Sequence, residues 1–115
     1  MSVFIYHNPR CSKSRETLAL LAANSVEPEV IEYLKTPPSV EQLNQLIKQL
    51  GISSARDMMR TKEDIYKELN LKEQTDESAL IKAMAENPKL IERPIVVSNN
   101  KAAIGRPPEN VLSVL

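Results

Sequence analysis

Cys11 is the single cysteine of the chain, and it directly follows an apolar run and a break at Asn8-Pro9. From Cys11 onward the residues follow a helical pattern, so the sulfur stands at the start of a predicted helix. The first amides of a helix have no partner within it, and together with the helix dipole they stabilise an anion. We therefore expect Cys11 to be a thiolate with a lowered pKa, which is the nucleophilic form of cysteine.

Two polar residues near Cys11 are candidates for supporting roles. Ser14 places a hydroxyl on the same first turn, which gives the spacing Cys-x-x-Ser. His7 has two possible roles. It is a partner of the sulfur, through its charge or a hydrogen bond, or it is a polar residue at the end of a strand with no chemical role. A lone cysteine is itself often a small buried apolar side chain. The polar neighbours Arg10 and Ser12 instead favour a reactive thiol.

Two arginines are distinguished by the proline that follows each of them. Arg93 precedes a predicted strand, and Arg106 follows the next one. Pro94 is a candidate cis proline facing Cys11, although the sequence does not fix the isomer. A lone arginine is normally a solvated surface charge, and Arg60 carries no signal of its own in the sequence.

Strand and helix patterns alternate at both ends of the chain. A βαβ unit comes first, and a strand hairpin followed by a short helix comes last. Between them lies a helical insert of about 39–90. Its first helix is predicted to begin with a Ser39–Gln42 capping box and to end at Gly51. The order βαβ, helical insert, ββα predicts an α/β protein of thioredoxin-like fold, with a four-stranded mixed sheet flanked by helices. The predicted strands are 3–6, 29–34, 95–97 and 102–104, and the predicted flanking helices are 11–24 and 109–115. In the first helix, Leu18, Leu21 and Ala22 are expected to fall on one face.

Length and composition limit the possible functions. A chain of 115 residues predicts a single domain, 1–115, and 42% hydrophobic with 26% charged residues is typical of globular proteins. The net charge of +0 argues against a nucleic-acid partner bound by bulk charge. No apolar stretch approaches the ~20 residues that span a bilayer. With no leader pattern and one cysteine, we expect a cytoplasmic protein with no membrane partner, no metal site and no bound cofactor.

The segment Tyr-His-Asn-Pro-Arg-Cys-Ser-Lys-Ser-Arg at positions 6–15 resembles the glutaredoxin-linked arsenate reductases of the ArsC family. Later segments agree in order and spacing, namely Tyr33-Leu34 with Pro37-Pro38, Arg60, the run 92–97, and Gly105-Arg106-Pro107. The resemblance covers nearly the whole chain. It points to the short branch of the family, which lacks the C-terminal extension of longer members.

The resemblance implies an arsenate reductase whose nucleophile is Cys11. By the same resemblance His7 and Ser14 keep the thiolate ionised, and the oxyanion is bound by Arg60, Arg93 and Arg106. Planar guanidinium groups suit a tetrahedral oxyanion, because they offer paired hydrogen bonds. The implied co-substrate is glutathione and the implied protein partner is glutaredoxin. A chain with no second cysteine has no internal resolving thiol, which agrees with that dependence.

Two other functions remain open at this point. One is a reductase of the same fold that acts on another oxyanion or on a glutathione mixed disulfide. The other is a redox-sensitive regulator of the Spx type, which binds RNA polymerase and typically carries Cys-x-x-Cys where this chain has Ser14. A phosphatase-type arsenate reductase is disfavoured, because its cysteine and arginine are separated by five residues, whereas three separate Cys11 from Arg15.

Overall fold

The computed structural model describes residues 2–115 and divides the chain into two compact units. One unit comprises the residues up to 36 together with 93–115, and the other comprises 37–92. The grouping of both into the single domain 1–115 stays a prediction.

The first unit is built on a four-stranded mixed sheet with the order β2-β1-β3-β4. Its strands are β1 (Val3–His7), β2 (Glu29–Glu32), β3 (Ile95–Ser98) and β4 (Lys101–Ile104). β1 pairs in parallel with β2 and antiparallel with β3, and β3 and β4 form an antiparallel hairpin. The predicted α/β fold with a mixed sheet is confirmed.

Two strand boundaries show how turns limit the sheet. β2 ends at Glu32, not at Leu34 as expected, because the amides of Lys35 and Thr36 both donate to the Glu32 carbonyl and close a turn. The β3–β4 hairpin turns at Asn99 and Asn100, which have φ angles of 56° and 61°. Asparagine tolerates this left-handed region, and the predicted tight turn is therefore found where the adjacent pair placed it.

Helix α1 (Ser12–Ala23) packs within the first unit through a partly polar face. Its buried residues are Ser14, Thr17 and Leu21, whereas Leu18 is half-buried and Ala22 is exposed. The helix approaches Gly105 so closely that a Cβ there would lie 2.6 Å from Thr17 Oγ1. The small polar side chains permit this approach, and the apolar pattern alone did not reveal it.

The core of this unit joins the sheet, α1 and the end of the chain. The last element is a 3-10 helix, Pro108–Val114, where a helix at 109–115 was expected. The central core residues are Ile5, Leu21, Val96, Val111 and Val114.

The second unit consists of helices α2 (Val40–Leu50), α3 (Asp64–Glu68) and α4 (Glu77–Glu86), with 3-10 helices at Ala55–Met58, Leu71–Glu73 and Pro88–Leu90. The predicted capping box is present, since the Gln42 amide donates to Ser39 Oγ and the Ser39 amide donates to Gln42 Oε1. Gly51 ends α2 with a φ of 70°. The 3-10 helices at 71–73 and 88–90 were not predicted, because a single turn is too short to show a period.

No helix within residues 2–115 combines the length and the apolar character needed to cross a membrane.

Candidate active site

The turn between β1 and α1 places Cys11 at the N-terminus of the helix. The Cys11 amide donates to the Asn8 carbonyl at 3.0 Å, and the Arg10 amide donates to Asn8 Oδ1 at 3.0 Å. The Arg15 amide then donates to the Cys11 carbonyl, which begins the helical hydrogen bonding. Cys11 is thus the N-cap residue, with extended φ and ψ angles of −94° and 124°.

The Cys11 thiol lies in surroundings that favour its ionised form. The side chain is buried, with 9% of the residue exposed. Burial by itself raises the pKa, but the Ser14 amide, the Arg93 side chain and the Lys13 amide together bring the pKa of Cys11 below its ordinary value. The two amides are close enough to stabilise the charge, although neither forms a standard N-cap hydrogen bond to the sulfur.

Arg93 and Arg106 meet at the sulfur. Arg106 Nη2 lies 3.6 Å from Cys11 Sγ, and Arg106 Nε donates to the Arg93 carbonyl at 2.8 Å. The Arg93 side chain lies near the same sulfur, where its N–H groups and its charge lower the thiol's pKa. The Arg93–Pro94 and Arg106–Pro107 peptide bonds are both cis. Two guanidinium groups beside one thiolate form a site suited to an anion.

The side chains of His7 and Ser14, on either side of Cys11 in sequence, are hydrogen-bonded to each other. His7 Nδ1 and Ser14 Oγ are 2.7 Å apart, and both residues are buried. The Asn8 amide donates to Ser14 Oγ at 3.0 Å, so this hydroxyl is bonded to both the histidine ring and the backbone of the turn. Burial lowers the pKa of His7, Glu32 raises it and Arg15 lowers it, with a net lowering. His7 is therefore a hydrogen-bond partner of Ser14 rather than a positive charge near pH 7.

Arg60 belongs to the second unit and is held there by two carboxylates. Its Nη1 lies 3.0 Å from Glu63 Oε1, and its Nε lies 3.8 Å from Glu92 Oε1. The Arg60 amide also donates to the Leu90 carbonyl at 2.7 Å. These contacts keep its guanidinium in a defined position within that unit. Its predicted part in binding an oxyanion at Cys11 stays a prediction.

Tyr33 lies at this site, although no role was predicted for it from the sequence. It follows β2 directly and is almost completely buried, with 1% exposed. Burial raises the pKa of its hydroxyl, while Arg93 lowers it and the Cys11 thiolate raises it, so all three side chains interact. Its position in the sequence could have indicated a role, because Tyr33 follows the second strand of a parallel pair, where ligands usually bind.

Within residues 2–115, no three His, Cys, Asp or Glu residues are grouped so that they could hold a metal ion.

Comparison with known proteins identifies the family. Residues 6–114 match the sequence model of the ArsC family. This chain belongs to the ArsC family. The fold matches that of a solved structure described as an arsenate reductase from Vibrio cholerae, with a TM-score of 0.97 and 63% sequence identity. The match covers 100% of this chain and 98% of that one.

Two curated ArsC relatives match along nearly their whole length. A protein of Haemophilus influenzae named arsenate reductase is 53% identical over 116 residues, which is 100% of each chain. The Escherichia coli K12 protein YfgD, described as uncharacterized, is 64% identical over 114 residues, which is 98% of this chain and 96% of that protein. The predicted membership of this family, among chains of similar length, is confirmed.

Proposed function

We propose that this ArsC-family protein is an arsenate reductase with Cys11 as its nucleophile and glutathione as its co-substrate. The observation that carries the proposal is the Cys11 sulfur, whose pKa is lowered and which lies beside Arg93 and Arg106. The relatives named arsenate reductase support arsenate as the substrate. The proposal places the protein in the cytoplasm, where a lone thiol stays reduced.

The first step joins two anions. The Cys11 thiolate attacks arsenic, a sulfur–arsenic bond forms, and one arsenic–oxygen bond breaks to release hydroxide, which is then protonated to water. Arg93 and Arg106 offset the repulsion between the thiolate and arsenate and neutralise charge that develops on the arsenate oxygens. The Arg93 guanidinium also lowers the pKa of the thiol, which favours the ionised sulfur before the substrate enters.

The second step transfers two electrons. The thiolate of glutathione attacks the Cys11 sulfur of the adduct, a sulfur–sulfur bond forms, and the sulfur–arsenic bond breaks with its electron pair retained by arsenic. As(V) thereby becomes As(III) and is released as arsenite. The two electrons come from the Cys11 and glutathione sulfurs, which join as a mixed disulfide. Because the chain has one cysteine, it has no internal thiol that could release Cys11. Glutaredoxin then takes the glutathione moiety and regenerates the Cys11 thiol.

Arg60 is proposed, by the resemblance of its segment to the family, as a third guanidinium for the oxyanion. Its ion pairs with Glu63 and Glu92 fix the position of the guanidinium group. The Arg60→Gln variant is expected to raise the KM for arsenate by roughly tenfold or more, as for a lost charged hydrogen bond. Lys62→Gln, which removes a neighbouring exposed charge, is the matched control and should leave KM near its original value. An unchanged KM in Arg60→Gln would remove Arg60 from the site.

The decisive test is arsenate-dependent consumption of NADPH with glutathione, glutaredoxin and glutathione reductase supplied. The wild-type protein is expected to turn over and Cys11→Ser is expected to be inactive. Omitting glutathione or glutaredoxin should stop sustained turnover. A folded wild-type protein with no activity above Cys11→Ser would reject arsenate as the substrate. Activity on a glutathione mixed disulfide alone would favour a reductase of the same fold with another substrate.

A further inference from the structure

We propose that the hydroxyl of Tyr33 donates a hydrogen bond to one oxygen of the oxyanion held at Cys11. This inference rests on the proposed function and deepens it, because it adds a neutral donor to a site otherwise described by its arginines.

The sheet register brings Tyr33 to the same end of the sheet as the nucleophile. β1 and β2 are parallel with His7 opposite Glu32, so the residue after each strand leaves the sheet at one edge. Tyr33 is the residue that follows β2, and the turn to Cys11 follows β1. β3 runs antiparallel to β1 with Ile95 opposite Tyr6, so the residues before β3, including Arg93, lie at that edge as well.

The Tyr33 hydroxyl is buried and unpaired. With 1% of the residue exposed, the hydroxyl finds no hydrogen-bond partner among residues 2–115, and the buried Nε of Arg93 has none there either. Arg93 and Asn8 lie close enough to influence the hydroxyl, but neither meets the geometry of a hydrogen bond to it. A buried unpaired donor is costly, and natural proteins rarely keep one without a purpose. Two such donors beside a nucleophile indicate an acceptor that arrives with the substrate.

The charge state of Tyr33 suits donation. Burial and the nearby thiolate raise the pKa of the hydroxyl more than Arg93 lowers it, so the group stays protonated at physiological pH. A neutral hydroxyl that donates to an anionic oxygen forms a short, strong hydrogen bond and needs no proton transfer.

The acceptor is the oxyanion rather than the sulfur. The groups that lower the pKa of the Cys11 thiol are the Ser14 and Lys13 amides and the Arg93 side chain. Arg106 Nη2 also lies at the sulfur, at 3.6 Å. Other donors thus stabilise the thiolate, and the Tyr33 hydroxyl can donate its proton to an oxyanion oxygen bound beside the sulfur.

The test uses Tyr33→Phe, with Tyr6→Phe as the matched control. Tyr6 is another buried tyrosine of the same unit, with 8% exposed, and it lies within β1. Arsenate alone, without glutathione, is used to protect Cys11 from iodoacetamide. Tyr33→Phe is expected to raise both the half-protecting arsenate concentration and the KM in the coupled assay by about tenfold or more. Tyr6→Phe should change neither by more than about twofold.

Two further measurements separate binding from a structural role. Thermal unfolding of Tyr33→Phe is expected at the same or a higher temperature, because the substitution removes an unpaired buried hydroxyl. The pH midpoint of Cys11 alkylation is expected to stay at the wild-type value. A lower unfolding temperature would show that the hydroxyl stabilises the fold, and a raised alkylation midpoint with unchanged protection would assign it to the thiolate. Either result overturns the inference.

The remaining outcomes distinguish this inference from the proposed function. Unchanged protection and KM in Tyr33→Phe, with an active wild type, would overturn the role of Tyr33 and leave the reductase standing. Arsenate protection that weakens in Tyr33→Phe, with no turnover by the wild type, would reject the reductase and support the oxyanion contact. Failure of arsenate to protect the wild-type protein would overturn the role of Tyr33.

Discussion

At the residue scale, the lowered pKa of Cys11 results from a balance between burial and nearby donors. A buried thiol would ordinarily resist ionisation. Here the Ser14 and Lys13 amides and the Arg93 guanidinium outweigh that effect and lower the thiol's pKa. Ser14 takes part through its amide, while its hydroxyl bonds to His7 and to the Asn8 amide. One residue therefore both stabilises the thiolate and holds the turn that carries it.

The first prediction concerns the charge beside the thiolate. Arg93→Gln is expected to raise the pKa of Cys11, because it removes a positive charge that favours the ionised sulfur. The rate of iodoacetamide alkylation against pH measures this value. In the wild type the midpoint should lie below that of free cysteine, and in the variant it should move upward. Arg10→Gln, which removes an exposed charge next to Cys11 in sequence, should shift it less. Equal shifts would contradict a specific role for Arg93.

The second prediction concerns the hydroxyl of Ser14. Ser14→Ala removes the acceptor of the Asn8 amide and the partner of His7, and Ser14 is completely buried. The free energy of unfolding should fall by about 1–3 kcal/mol, the usual cost of leaving buried polar groups unpaired. Urea unfolding measures it. Ser12→Ala, at an exposed position of the same turn, should change stability by less than about 0.5 kcal/mol. A stable Ser14→Ala protein would show that the turn does not depend on this hydroxyl.

At the element scale, α1 connects the site to the core, and a residue in the left-handed conformation follows its C-cap. The Val26 amide donates to the Leu21 carbonyl and the Ser25 amide donates to the Ala22 carbonyl, which together form a Schellman motif. The residue after the C-cap in this motif is usually glycine, because it is left-handed. Here it is Ser25, with a φ of 61°. A Cβ in that conformation costs free energy.

The third prediction follows from this helix end. Ser25→Gly is expected to raise the free energy of unfolding by about 0.5–1 kcal/mol, because glycine adopts the left-handed conformation without the steric cost. Chemical denaturation measures the change. Ser25→Ala is the matched control, since it retains a Cβ and should give no such gain. The arsenate KM should be unaffected, because Ser25 lies at the end of α1 opposite Cys11. Equal stability of the two variants would contradict the strain at Ser25.

At the scale of the whole molecule, the single cysteine limits which disulfides the chain can form. The chain holds one thiol among 115 residues, so every disulfide that it forms contains a second molecule. The proposed reductase therefore depends on an external thiol for each turnover.

The fourth prediction tests that dependence. With arsenate and glutathione but no glutaredoxin, the protein should accumulate one glutathione per chain on Cys11. Intact mass spectrometry should show this adduct, and added glutaredoxin should remove it. Cys11→Ser should remain unmodified under the same conditions. A disulfide-linked dimer as the main product, in place of the glutathione adduct, would contradict the proposed cycle.

The fold was largely predictable because its signals are local. The β1–α1–β2 order, the Ser39 cap, the Gly51 stop and the Asn99-Asn100 turn each depend on residues close together in sequence. Local signals also placed Cys11 at a helix start. The apolar period of α1 did not show that Thr17 is buried while Ala22 is exposed, because the close approach of Thr17 to Gly105 joins residues far apart in sequence.

The sequence by itself thus determined the main strands and helices, the family resemblance and the position of the proposed nucleophile. Only the tertiary structure decided which donors reach it. Arg106 and Cys11 are 95 positions apart in the chain, and their approach depends on the antiparallel pairing of β1 with β3 and of β3 with β4. The unpaired hydroxyl of Tyr33 likewise depends on the parallel register of β1 and β2. Strand register is a property of the assembled sheet, and for that reason the sequence located the sulfur while the structure assembled the site around it.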